Sequence, residues 1–137
     1  MPIQVSNINQ KAIYTDIDGS FTKNPKTRDL LLVKNESCIR NSLTNLLQTS
    51  FGERLFNSRI GGSLRNLLFE PIDFITTYEM KDRIISTITN HEPRVENVLV
   101  DVVASEDTNS YTIFVEYSIK ELPNSVGKTS IVLERIR

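Results

Sequence analysis

His91-Glu92-Pro93-Arg94-Val95 divides the chain into two kinds of sequence. Pro93 has no N–H and disfavours the α region for Glu92, so a helix arriving from the N-terminal side must stop here. Downstream the apolar period becomes two. Val98, Val100, Val102 and Ala104 alternate with Leu99, Asp101 and Val103. After a polar turn at 106–109, Tyr111, Ile113, Val115, Tyr117 and Ile119 alternate with Thr112, Phe114, Glu116 and Ser118. Two such runs joined by a short turn predict a hairpin. Pro123, Asn124, Ser125 and Gly127 interrupt the pattern, and Thr129 to Ile136 predicts a third strand. Ile131, Leu133 and Arg135 fall on one of its faces, Val132, Glu134 and Ile136 on the other.

Upstream the spacing is helical. Asn35 reads as an N-cap with Glu36 in the first turn, and Ile39, Leu43, Leu46 and Leu47 form a stripe, predicting a helix over 36–49. Ser63 to Phe69 reads as a short helix stopped at Glu70-Pro71. A longer helix is expected over 72–90, opened by Pro71, with Phe74, Tyr78, Ile85 and Ile88 on its buried stripe and Ile75 and Ile84 widening it. Ala12 to Thr15 and Asp29 to Val33 read as short strands, and 1–11 as a polar arm. The fold class that follows is α+β: an antiparallel C-terminal β-meander plus short N-terminal strands, packed against two main helices in one domain over 1–137.

Length and composition fit a single globular domain. The 137 residues are 39% apolar and 24% charged, with a net charge of −1. That charge gives no footprint for nucleic acid or an acidic membrane surface. A lone cysteine, Cys38, excludes an internal disulfide, and there is no apolar run of membrane length and no leader pattern at Met1-Pro2-Ile3-Gln4. Synthesis in the cytoplasm is the expectation.

Chemistry finds little foothold. His91 is the one histidine, and no nucleophile is placed beside it by pattern. No His/Cys cluster suits zinc. Cys38 has no activating neighbour in the pattern and reads as core filler. Asp16-Ile17-Asp18-Gly19 superficially matches the nucleophile loop of haloacid-dehalogenase-like phosphatases, but no βαβ series follows, and an Asx-type turn accounts for it. Gly61-Gly62 lacks the lysine and preceding strand of a phosphate loop. Glu53, Glu70, Glu92 and Glu96 could supply a hydrolytic carboxylate pair only if the fold brought two of them across a cleft. Catalytic, cofactor and metal sites are therefore all expected to be none. A terminal meander, by contrast, leaves a strand edge that is either covered by the N-terminal strands or used to accept a partner's strand.

An ordered set of motifs supports the second use. It comprises Asn-Glu-x-x-Ile-x-x-Ser-Leu-x-Asn-Leu-Leu-x-Thr at 35–49, Phe-Gly-Glu-Arg at 51–54, Gly62-Ser63 with Leu68-Phe69-Glu70-Pro71, and Glu92-Pro93-Arg94. This set resembles the small baseplate wedge proteins of contractile-tailed phages, the sheath initiators once called lysozyme-like, whose relatives sit in type VI secretion baseplates. The likeness runs from Tyr14 to Arg137. It departs at Ser58-Arg59-Ile60-Gly61, where the family usually has a proline and an aromatic before the glycine. The resemblance implies a late, structural virion protein of the tail baseplate that is not an enzyme. It implies other wedge subunits and the tail sheath protein as partners, with tail tube or hub as further candidates, and neither nucleic acid nor membrane. It also implies docking through Glu92, Pro93 and Arg94 and sheath attachment through the last strand, with Ile131, Leu133 and Arg135 as its candidates. A regulatory protein-binding module like the anti-adaptors of similar fold is the alternative, and a small hydrolase a weaker one.

Overall fold

The computed structural model describes residues 13–122 and 124–135. The expected arm at 1–11 and Ile136 lie outside the described residues. The element order is β1 (Thr15–Ile17), β2 (Leu32–Lys34), α1 (Glu36–Gln48), α2 (Leu64–Leu67), α3 (Phe74–His91), β3 (Val95–Ser105), β4 (Ser110–Ile119) and β5 (Val126–Glu134). This is the α+β arrangement that the period change at Pro93 predicts.

The meander forms one antiparallel sheet in the order β3-β4-β5. Its pairing puts like faces together: Val100 opposite Val115, Val102 opposite Ile113, and then Ile113 opposite Ile131 and Tyr111 opposite Leu133. These side chains are buried and meet Ile39, Leu43 and Leu47 of α1 and Met80, Ile84 and Ile88 of α3 in one core. Tyr117 lies over Gly127, its partner across the ladder; a Cβ at Gly127 would sit 2.4 Å from the ring. The aromatic ring fills space that only a glycine leaves open.

Helix α1 buries the expected stripe, but Asn35 does not cap it. It adopts φ 49°, and its side-chain Oδ1 accepts the backbone N–H groups of Ile13 (3.0 Å) and Tyr14 (3.3 Å) instead. With ψ at −117° the residue lies outside the αL region, and its amide here ties the entry of β1 to the start of α1.

Helix α3 differs more. Asp73, not Pro71, starts it: its Oδ1 accepts Thr76 N–H at 2.7 Å. The buried stripe is Thr76, Met80, Ile84, Thr87 and Ile88, whereas Phe74, Ile75 and Tyr78 are exposed, Phe74 at 83%. The helix carries more apolar residues than one face can bury. Its phase is set at the C-terminal end, where Met80, Ile84 and Ile88 meet the sheet. Thr87 is buried at little cost because its hydroxyl donates to Arg83 O at 2.7 Å within the helix.

The short N-terminal strands pair with each other, Thr15 with Lys34 and Ile17 with Leu32, as a separate two-stranded ribbon. They do not extend the main sheet. Among the described residues no strand covers the outer edge of β5.

Candidate protein-docking site

The joint between α3 and β3 is built by the proline stop. Glu92 closes α3 by donating its N–H to Ile88 O at 2.9 Å, and Val95 then begins β3. Arg94 O accepts Lys120 N–H at 3.1 Å, which fastens the joint to the far end of β4.

The two charges flanking Pro93 turn towards each other. Arg94 Nε donates to Glu92 Oε1 at 2.6 Å and Nη2 to Oε2 at 2.7 Å, a bidentate fork. Ser42 Oγ, from α1, donates to the same Oε2 at 2.8 Å. Glu92 is 4% exposed, Arg94's side chain 30%. Burial alone would push the Glu92 carboxyl up, but hydrogen bonds from Arg94 and Ser42 outweigh it and hold it below the usual glutamate range. The bond to Glu92 likewise raises the Arg94 guanidinium above its ordinary value, against the opposing effect of burial.

Two further groups converge here. Arg94 Nη1 points at Cys38 Sγ, 3.8 Å away, and the guanidinium lies over the Tyr14 ring, 5.5 Å from its centroid. Tyr14, Cys38 and Ser42 are thus site residues that the sequence reading missed. Their separations from Arg94 in sequence carry no signal, although Ser42 stands in the Ser-Leu step of the 35–49 motif. Of the three docking candidates, only Pro93 and part of Arg94 face outward; Glu92 faces in. Among the described residues no group of three or more His, Cys, Asp and Glu could hold a metal. Glu53, one of the scattered carboxylates, accepts Ser50 N–H at 2.7 Å.

The second candidate surface is the edge of β5. Arg135 N–H donates to Asn109 O at 3.2 Å, which fixes the phase of the ladder. In that phase Thr129, Ile131 and Leu133 exchange bonds with β4, while Lys128, Ser130, Val132 and Glu134 turn N–H and C=O outward. Ile131 and Leu133 are also 3% and 7% exposed. They therefore offer a partner neither side chain nor main chain, and of the expected trio only Arg135 is exposed. Core-facing and β4-bonded positions coincide along β5, so the outward main chain belongs to the intervening residues Ser130 and Val132. Beside this edge lies a groove of about 460 Å³ lined by Arg65, Leu68, Phe69, Val132 and Arg135, among others. Arg135 stacks over the Phe69 ring at 5.8 Å.

The opposite edge of the sheet is less suited to pairing. Strand β3 carries a bulge between Glu96 and Leu99, with Asn97 at φ 51°, which breaks the regular edge. Strand β5 runs nine residues with no shift in register against β4.

Comparison with known proteins gives a consistent result. The family described as baseplate wedge protein gp25 matches residues 33–124. The chain is 27% identical over 129 residues to baseplate wedge protein gp25 of Enterobacteria phage T4, covering 94% of this chain and 96% of that one. Among solved structures, it resembles a Geobacter sulfurreducens protein described as a tail lysozyme, with a TM-score of 0.67 at 23% identity over 78% of this chain and 96% of the other. It also resembles a chain of the anti-feeding prophage baseplate, with a TM-score of 0.61 at 21% identity, covering 87% and 83% of the two chains. A chain of the postcontracted pyocin R2 baseplate aligns with a TM-score of 0.54 at 16% identity over 89% and 99%. At these identities the structural likenesses establish the fold alone.

Proposed function

Since this chain belongs to the baseplate wedge protein gp25 family and is thereby a structural component of a tail baseplate in the virion, we propose that it joins the inner baseplate to the contractile sheath and nucleates sheath assembly by strand addition. The observation that carries this reading is the unbulged edge of β5, uncovered among the described residues, with main-chain groups of Lys128, Ser130 and Val132 turned outward. A strand from a sheath subunit would satisfy those groups as β4 satisfies the other side. The joint at 92–94 docks a neighbouring wedge subunit through Pro93 and the exposed part of Arg94, while Glu92 holds Arg94 in place from within. On this reading the protein has no catalytic role.

Ser130→Pro tests the strand-addition reading. It removes an outward N–H, leaves the bonds to β4 intact, and sits on an edge strand where proline is tolerated. Wedges containing the variant should assemble but carry no sheath; baseplates that polymerise sheath at the wild-type rate would refute the role of this edge. At the joint, Arg94→Glu is a poor probe, because it faces the buried Glu92 with a like charge and unsettles the fold. Arg94→Lys keeps the charge but not the bidentate fork, and should weaken wedge incorporation while the isolated protein stays folded.

A further inference from the structure

The Phe51-Gly52-Glu53-Arg54 motif has no part in the joint or the edge, yet the loop it opens, residues 50–60, is heavily tied down. Gly52 N–H donates to Ser58 O at 2.8 Å, Ile60 N–H to Asn57 O at 3.3 Å, and Ser50 N–H to Glu53 Oε2 at 2.7 Å. At the base, Phe51 N–H donates to Oγ of the buried Ser63 at 2.8 Å, and Gly62 N–H to Thr49 O at 3.0 Å. Gly61 admits no side chain, since a Cβ there would lie 2.5 Å from Thr49 O.

What this scaffold displays is apolar. Phe51 is 58% exposed, Leu55 85% and Phe56 fully exposed. Phe56 also has φ 68°, a left-handed backbone that a bulky residue adopts at a cost in free energy. Among the described residues neither the exposure nor the strain brings any packing in return. Arg54 and Arg59 flank the tip, and neither lies in an ion pair among the described residues.

We propose that the loop is a preformed knob that seats Leu55 and Phe56 in an apolar, carboxylate-rimmed pocket of a neighbouring baseplate wedge subunit. Phe56 with arginines beside it belongs to the residue types enriched at protein interfaces, and pre-ordering lowers the entropy lost on docking. Two cations on a chain of net charge −1 are too few to hold such a loop on an anionic bilayer. The inference rests on the wedge role but not on strand addition or on the 92–94 contact.

Baseplates of the same virus assembled with benzoylphenylalanine at position 56 provide the test. The expected result is a photo-crosslink to one segment of another wedge subunit, with Asp or Glu flanking the captured apolar residues. Phe56→Ser and the double variant Arg54→Glu/Arg59→Glu should each lower incorporation into wedges at least about tenfold with unchanged melting of the free protein. Leu99→Ser, on the outer sheet face, should incorporate normally. A crosslink only to a second copy of this chain, no crosslink, or normal incorporation of Phe56→Ser would overturn the proposal. So would Phe56-dependent sedimentation with phosphatidylglycerol vesicles. Incorporation of Phe56→Ser without its knob, together with sheath loss in Ser130→Pro, would leave strand addition standing while removing the knob.

Discussion

The α3–β3 joint and the β5 edge differ in where their polar groups point. At the joint, the carboxylate of Glu92 is enclosed and bonded to Arg94 and Ser42 within the chain. At β5, side chains of one parity fill the core while main-chain groups of the other parity face outward, with no strand among the described residues to bond them. A charged motif in the sequence thus turns out largely internal, and an apolar strand turns out to hold the surface with unmet hydrogen-bonding capacity. Charge in a sequence does not say which way it faces, and neither does apolarity.

The sharpest way to break the contrast is Glu92→Ala. It removes both fork bonds and the Ser42 bond from a group that is 4% exposed, leaving Arg94 half-enclosed and unpaired. The expected loss is roughly 3 kcal/mol, or on the order of 10 °C in Tm, measured by thermal unfolding. A variant as stable as wild type would mean the joint is a solvated corner after all.

On the β5 side, Gly127→Ala drives a methyl into the buried Tyr117 ring. A destabilisation of about 2 kcal/mol in a urea titration is expected, and a neutral result would show that β5 can slide away from β4.

The pH dependence separates the two regions. Glu92 titrates lower in the folded than in the unfolded chain, so the unfolded state binds more protons as pH falls. The joint's contribution is complete above the ordinary glutamate value and is lost as pH drops below it, through the depressed folded value. Burial pushes the Tyr117 hydroxyl, beside β5, up to about 12. Its neutral form is favoured on folding, so this stability is present below the ordinary tyrosine value of about 10 and is lost as pH rises from there to about 12. Melting curves at both extremes should therefore show the acid loss shrinking in Glu92→Gln and the alkaline loss shrinking in Tyr117→Phe. Loss of neither dependence would refute the assignments.

The smallest effect is expected from Tyr117→Phe at neutral pH. The Tyr117 hydroxyl is buried without a hydrogen-bond partner among the described residues, so its removal should change stability by less than about 1 kcal/mol, in the direction of a gain. A large loss would reveal a partner for that hydroxyl and make the region under β5 as polar as the joint.

The sequence by itself determined the order of helix and sheet, because proline chemistry at Pro93 and a change of period are local properties. It determined α1 through one unambiguous stripe and the meander through strict alternation, and its ordered motifs carried the family. It also separated the two faces of β5. Tertiary structure alone decided the phase of α3, where Phe74, Ile75 and Tyr78 competed with Met80, Ile84 and Ile88 for a single face and packing against the sheet chose between them. It alone decided that Asn35 reaches back to Ile13 and Tyr14 instead of capping α1. It decided that Glu92 faces inward, since Ser42, Cys38 and Tyr14 approach Arg94 only through folding. And it decided which residues of β5 turn their main-chain groups outward, because the parity of a strand's free hydrogen bonds is set by its neighbour's register, which no single strand encodes.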